Sequence, residues 1–224
     1  MEVVLGGAPL FAALDPEGAT ALRSSMQEFR VAKGDAVFRE GDDGDRLYVV
    51  SDGKIKLTHA APDGRETLLA VMGPGDMFGE LSLFDPGPRT ATASAVVDTV
   101  LLGLNHQSLR AWLTGRPEVA EALLRALAQR LRRTNETLAD LVFSDVPGRV
   151  AKALLDLGER FGETRPDGLF VEHDLTQEEL AQLVGASRET VNKALADFVA
   201  RGWIKLESRS VTITDVERLD RRSR

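Results

Sequence analysis

Residues 79–91, Gly-Glu-Leu-Ser-Leu-Phe-Asp-Pro-Gly-Pro-Arg-Thr-Ala, set a carboxylate, an arginine and two hydroxyls within about a dozen positions between segments of β character. Those groups suit a sugar joined to a single phosphate. Glu80 can accept from a ribose hydroxyl. The planar fork of Arg89 matches two phosphate oxygens at once and does not lose its charge. One short helical turn over Glu80–Phe84 would aim unpaired backbone N–H groups at an anion, and Thr90 adds a donor. The candidate ligand residues here are Gly79, Glu80, Leu81, Ser82, Arg89 and Thr90. Taken as a bare pair of charges, Glu80 and Arg89 read more simply as an ion pair pinning a Pro/Gly-rich loop.

A second set of groups suits base edges. Thr176-Gln177-Glu178-Glu179 spells a capping box ahead of Leu180, Ala181 and Leu183, Gly185 interrupts, and Ser187 is a second N-cap before a helix to about Arg201. Two short helices joined at a glycine read as helix-turn-helix, with Leu180, Val184, Val191 and Leu195 as shared core. Arg188, Glu189, Asn192 and Lys193 are left on the open face, where such motifs read the major groove. Arg188 suits guanine O6 and N7, Glu189 cytosine N4, and Lys193 a guanine or a phosphate. Thr176, Gln177, Ser187 and Thr190 complete the candidate DNA surface. Gly202–Ile213 reads as a two-stranded wing that brings Arg209 near backbone phosphates. A three-helix packing module with solvated charges fits the helical pattern equally well.

The elements that must position these groups fall into three segments: 1–115, 116–145 and 146–224. Up to about 115, Gly/Asp turn signals separate short apolar runs (Leu47–Val50, Lys54–Leu57, Leu68–Val71), with a hairpin tip at Pro62-Asp63-Gly64, as in an all-β meander. A leading helix is expected over roughly Pro16–Gln27. A long helix starts at Pro117, where proline is tolerated. Its apolar positions Ala120, Leu124, Leu127, Leu131, Leu138 and Leu141 follow a heptad seam with a gap at Thr134. Such a seam needs a partner, and a parallel homodimer is the economical choice. Thr134, with Asn135 at its edge, either controls register or hydrogen-bonds a ligand's base. The third segment opens at Asp145-Val146-Pro147-Gly148-Arg149, continues as an apolar helix over about Val150–Phe161, and loops around Arg165–Gly168.

Composition narrows the function classes. No stretch approaches the 18 apolar residues of a membrane span, and Met1–Gly7 has no basic region of a secretory leader, so a cytoplasmic protein is expected. Absence of cysteine excludes disulfides, thiolate zinc and cysteine-ligated iron–sulfur clusters. The net charge of −7 argues superficially against nucleic acid, but residues 146–224 carry 13 basic against 14 acidic side chains, and 187–209 carry five against three. Local basic faces on an acidic chain still dock on phosphates. His59, His106 and His173 are scattered, with no nucleophile or metal-ligand spacing, so no enzyme, metal or haem is expected.

The words Gly79-Glu80-Leu81-Ser82 and Arg89-Thr90-Ala91, with Gly34-Asp35-Ala36-Val37-Phe38, Leu47-Tyr48-Val49-Val50 and Gly73–Gly79 upstream, resemble a cyclic-nucleotide-binding cassette. Gly185-Ala186-Ser187-Arg188-Glu189-Thr190-Val191 resembles the recognition helix of the catabolite-activator and fumarate–nitrate regulator family. The three segments occur in that family's order, so the resemblance covers nearly the whole chain. It implies an α+β fold: an N-terminal cyclic-nucleotide-binding β-roll, a long dimerisation helix and a C-terminal winged helix-turn-helix. It implies cAMP as allosteric ligand, with Glu80 on the ribose 2′-hydroxyl, Arg89 and Thr90 on the cyclic phosphate, and Thr134 and Asn135 on the adenine. Better-known relatives have Thr-Ser at 134–135 and arginine at 193. A homodimer on palindromic double-stranded DNA with TGTGA-like half-sites is further implied, with RNA polymerase as a partner. The same fold sensing cGMP or a cyclic dinucleotide, or binding DNA without a ligand, is the alternative.

Overall fold

The computed structural model describes residues 8–12, 14–85 and 87–224; Met1–Gly7, where no leader is expected, and Pro86 of the 79–91 cassette lie outside the described residues. The chain divides into two compact units, Met1–Gly64 with Leu69–Arg133, and Arg65–Leu68 with Thr134–Arg224.

In the first unit, helices α1 (Pro9–Ala12) and α2 (Pro16–Ser25) precede strands β1 (Gln27–Val31), β2 (Ala36–Phe38), β3 (Arg46–Asp52), β4 (Ile55–Ala60), β5 (Glu66–Met72) and β6 (Met77–Phe78). Helix α3 (Leu81–Phe84), β7 (Thr92–Ala95), β8 (Thr99–Asn105), α4 (His106–Leu113) and the long α5 (Pro117–Phe143), which belongs to the second unit from Thr134 on, follow. Asp15 caps α2 through the Gly18 N–H. That helix stops at Ser25, two residues short of the sequence expectation, because Gln27 begins the ladder of β1 with β8. The strands form two four-stranded sheets, β1-β8-β3-β6 and β2-β7-β4-β5.

β3 explains how the layers cohere. Successive strand side chains point to opposite faces. Leu47 and Val49 therefore enter a core with Leu22, Leu102, Leu104, Leu109, Val119 and Leu123, under the helices. Tyr48 and Val50 enter a second core with Ile55, Leu57, Phe78, Ala93 and Leu101, between the sheets. Both faces of this strand are buried, which is why Leu47–Val50 reads as a continuous apolar run.

The start of α5 packs inward through Val119 and Leu123, which are buried. Its other stripe does not: Leu124, Leu131 and Leu138 are 61–66% exposed, and Leu141 is also exposed. Their heptad spacing leaves one apolar seam facing solvent.

In the second unit, α6 (Val146–Phe161) buries Val150, Ala151, Leu154 and Leu157. Strands β9 (Gly162–Arg165) and β10 (Gly168–Glu172), helices α7 (Gln177–Val184) and α8 (Arg188–Ala200), strands β11 (Ile204–Glu207) and β12 (Ser210–Ile213), and α9 (Val216–Ser223) complete it. The sheet order is β11-β12-β10-β9. The Arg165–Gly168 segment, expected as a loop, is the turn of the β9–β10 hairpin.

Candidate functional site

The cassette lies between β6 and β7. Glu80 is the residue before α3 and is 1% exposed; Arg89 is 5% exposed. They do not pair with each other, so the loop-pinning reading fails. Glu80 Oε1 accepts from Arg130 Nη1 of α5 at 2.8 Å. Arg89 donates from Nη1 to the Gly79 carbonyl at 2.6 Å and to Ser82 Oγ at 3.0 Å, and from Nη2 to the Arg46 carbonyl at 2.8 Å. Burial pushes the Arg89 guanidinium below its usual pKa. Glu80 Oε2 and Arg89 Nε are buried with no hydrogen-bond partner. Orphaned buried polar atoms are costly, and two in one pocket mark a site built for a polar guest.

Gly79, Glu80, Leu81, Ser82, Arg89 and Thr90 all line this one cavity, together with Phe38 and Arg130. The structure thus brings together six of the eight residues singled out from the sequence. Thr134 and Asn135 lie beyond this unit, at exposed positions of α5. The cavity measures about 40 Å³, room for little more than water. A nucleotide needs the Arg130–Glu80 contact or the Arg89 contacts to give way. Sequence reasoning missed Arg130, one of several arginines on that helix, because nothing local ties it to a carboxylate 50 positions away.

A wider cleft of about 410 Å³ lies in the second unit at Trp203, Arg218, Arg221 and Arg222. Arg218 is paired to Asp215 and Arg222 to Asp145, and the buried atom without a hydrogen-bond partner there is the donor Trp203 Nε1, so the carboxylate and guanidinium that suit a sugar phosphate converge in the smaller pocket.

The helix-turn-helix is as local chemistry requires. Thr176 caps α7 in a reciprocal box: the Glu179 N–H donates to Thr176 Oγ1 at 3.1 Å and the Thr176 N–H to Glu179 Oε2 at 2.8 Å. Gly185 ends α7 with φ +69°, and Ser187 caps α8 by accepting from the Thr190 N–H at 3.3 Å. Leu180, Val184, Val191 and Leu195 are buried as expected. Gln177, Arg188, Glu189 and Lys193 are exposed, with Lys193 Nζ held to Glu189 Oε1 at 2.7 Å. Asn192 is half-buried, and its Oδ1 has no hydrogen-bond partner. Arg209 sits at the exposed wing tip between β11 and β12 with φ +63°.

The three histidines do not gather. His59 Nδ1 is 2.9 Å from Glu40, the buried His173 accepts from the Leu175 N–H, and His106 opens α4. Among the described residues no cluster of three or more His, Cys, Asp or Glu could hold a metal, and no helix is long and apolar enough to cross a membrane.

Two family models match the chain: a cyclic nucleotide-binding domain over residues 28–115 and a Crp-like helix-turn-helix domain over 148–222. The chain belongs to the catabolite-activator and fumarate–nitrate regulator family, transcription regulators that join a nucleotide-binding β-roll to a DNA-binding helix-turn-helix. Within it, the chain is 57% identical to the CRP-like cAMP-activated global transcriptional regulator of Mycobacterium tuberculosis, over the whole of both chains. It is 38% identical to the cyclic AMP receptor protein of Thermus thermophilus, over 96% of each. The structure of FixK2 from Bradyrhizobium japonicum superimposes with a TM-score of 0.79, covering 89% of this chain and 98% of that one at 23% identity, a likeness of fold.

Proposed function

We propose that this protein is a cAMP-responsive homodimeric transcription regulator that binds a TGTGA-like palindrome. The observation that carries the reading is the pair of orphaned buried atoms, Glu80 Oε2 and Arg89 Nε, in one cavity. A carboxylate and a guanidinium suit the two polar ends of a ribose cyclic phosphate. Glu80 accepts the 2′-hydroxyl; Arg89 exchanges its carbonyl contacts for phosphate oxygens, with Ser82, Thr90 and the Gly79–Leu81 backbone beside it. Thr134 and Asn135 contact the adenine. The resemblance to a cAMP-activated regulator at 57% identity supports cAMP as the ligand.

The functional segments are residues 1–115 for the nucleotide, 116–145 for dimerisation and 146–224 for DNA. The exposed seam of Leu124, Leu131, Leu138 and Leu141 supports a dimer through α5. Ligand biases that pairing, and the junction after Phe143 relays the bias to the spacing of the two recognition helices, which must sit about 34 Å apart on DNA. The relay has a physical basis within the second unit. A methyl added at Gly185 would come 2.8 Å from Leu141 of α5, and Arg149 bonds both the Ser144 carbonyl (2.6 Å) and the Val184 carbonyl (3.1 Å). Only a difference in the ligand's affinity for the two arrangements drives the switch. The protein acts in the cytoplasm, with RNA polymerase as partner, and performs no catalysis.

The test is fluorescence anisotropy of a labelled TGTGA palindrome titrated with protein at fixed salt, with cAMP, with cGMP and with neither. Tighter binding with cAMP alone is the expected outcome. Equal binding in all three arms would refute the nucleotide switch and favour the ligand-independent alternative.

A further inference from the structure

We propose that Phe38, together with Gly44 and Gly79, forms the slot that orients the Arg89 guanidinium, making Phe38 a positioning residue for the phosphate end of the pocket; the proposal rests on the cyclic-nucleotide reading above. Arg89 is a buried cation with no carboxylate in hydrogen-bond contact; its donors meet only carbonyls and a hydroxyl. Something must offset its lost hydration. The Arg89 Cζ lies 4.2 Å from the Phe38 ring centroid, where the negative face of the ring attracts a cation most strongly when water is excluded.

Backbone closes the rest of the slot. A methyl at Gly44 would stand 3.2 Å from Arg89 Cζ and would collide with Ser82 Oγ, and one at Gly79 would stand 2.8 Å from Arg89 Nη1. The guanidinium is therefore confined by two glycines that leave it just enough room, and by one aromatic face. Phe38 is itself fixed: its ring is 6.0 Å from that of Tyr48 and 5.9 Å from that of Phe78, both buried. The slot holds the guanidinium plane while Nε stays unpaired. When the Nη contacts to Gly79, Ser82 and Arg46 are exchanged for phosphate oxygens, the ring keeps the cation in place.

Leucine at 38 fills much of the same space without the ring's charge distribution, whereas tyrosine retains it. The experiment compares wild type, Phe38→Leu and Phe38→Tyr by calorimetry with cAMP, and by competition with adenosine, which lacks the phosphate. Phe38→Leu is expected to weaken cAMP about five- to thirtyfold, to leave adenosine within twofold, and to be rescued by Phe38→Tyr. A second readout needs no ligand. The Arg89 Nε–H resonance, assigned with Arg89→Lys, is expected to lose its ring-current shift in Phe38→Leu and keep it in Phe38→Tyr. Equal losses for cAMP and adenosine, or an unmoved Arg89 resonance, would overturn the slot while leaving cAMP binding by wild type intact. A wild type that binds no cAMP would overturn the nucleotide reading and the slot with it.

Discussion

Asp145 stands at the entry to α6 with two roles that mutation can separate. Its Oδ1 accepts from the Gly148 N–H at 2.9 Å, an N-cap. Both its oxygens also accept from Arg222 Nη2 of α9, at 2.8 and 2.6 Å. The pair is wet: the Asp145 side chain is 63% exposed and that of Arg222 33%. Water and salt screening hold such a pair to about 0.2–1 kcal/mol, whereas an N-cap contributes about 1 kcal/mol. Asp145→Ala loses both and should cost about 1.5 kcal/mol. Asp145→Asn keeps a capping oxygen and loses the charge, so it should cost about 0.5 kcal/mol, as should Arg222→Ala. The double variant Asp145→Asn/Arg222→Ala should cost no more than either single change, because both remove the same interaction. Trp112 and Trp203 are the two tryptophans, so urea unfolding in a Trp112→Phe background, followed by Trp203 fluorescence, reports the second unit. The pH arm has a definite sign. The Arg222 hydrogen bonds, and then that from Gly148, hold the Asp145 carboxyl below its ordinary value. A depressed folded pKa stabilises above the unfolded value, near 4, and that contribution is lost as pH falls through the folded value. The gap between wild type and Asp145→Asn should therefore be full at pH 7 and close on acidification below about pH 4. Fully additive losses in the double variant, or a gap that widens with acid, would refute the clasp.

Three further outcomes are expected. Gly185→Ala forces an alanine into φ +69° and brings its methyl 2.8 Å from the flexible end of Leu141; it should cost about 1–2 kcal/mol in the same unfolding assay. Arg188→Ala should lose about 1–3 kcal/mol of DNA affinity and relax preference at a single base pair, read by anisotropy on base-substituted duplexes, while Lys193→Ala, now sharing its charge with Glu189, should cost less. Leu131→Glu places a charge on the exposed seam and should shift the protein from dimer toward monomer in sedimentation velocity without changing the fold by circular dichroism.

What the sequence by itself determined was whatever closes within a few residues. The capping box of Thr176 and Glu179, the Ser187 cap and the left-handed Gly185 are local hydrogen-bonding and backbone rules, so the helix-turn-helix was legible residue by residue. The apolar run Leu47–Val50 and the heptad leucines of α5 were legible for the same reason, being periodicities. The six cassette residues of 79–90 were legible as a cluster because they lie within a dozen positions of the chain. The β9–β10 hairpin was not, since the Gly-Glu-Thr-Arg strand is polar and exposed along its length and has no alternation; only pairing with β10 makes it a strand. Tertiary structure alone decided the partners. Glu80 meets Arg130 fifty positions on, Arg89 stacks on Phe38, and Asp145 holds Arg222 from the last helix. Charges carry no positional code along a chain. Which arginine reaches which carboxylate is set by the packing of strands and helices whose own sequences do not mention it.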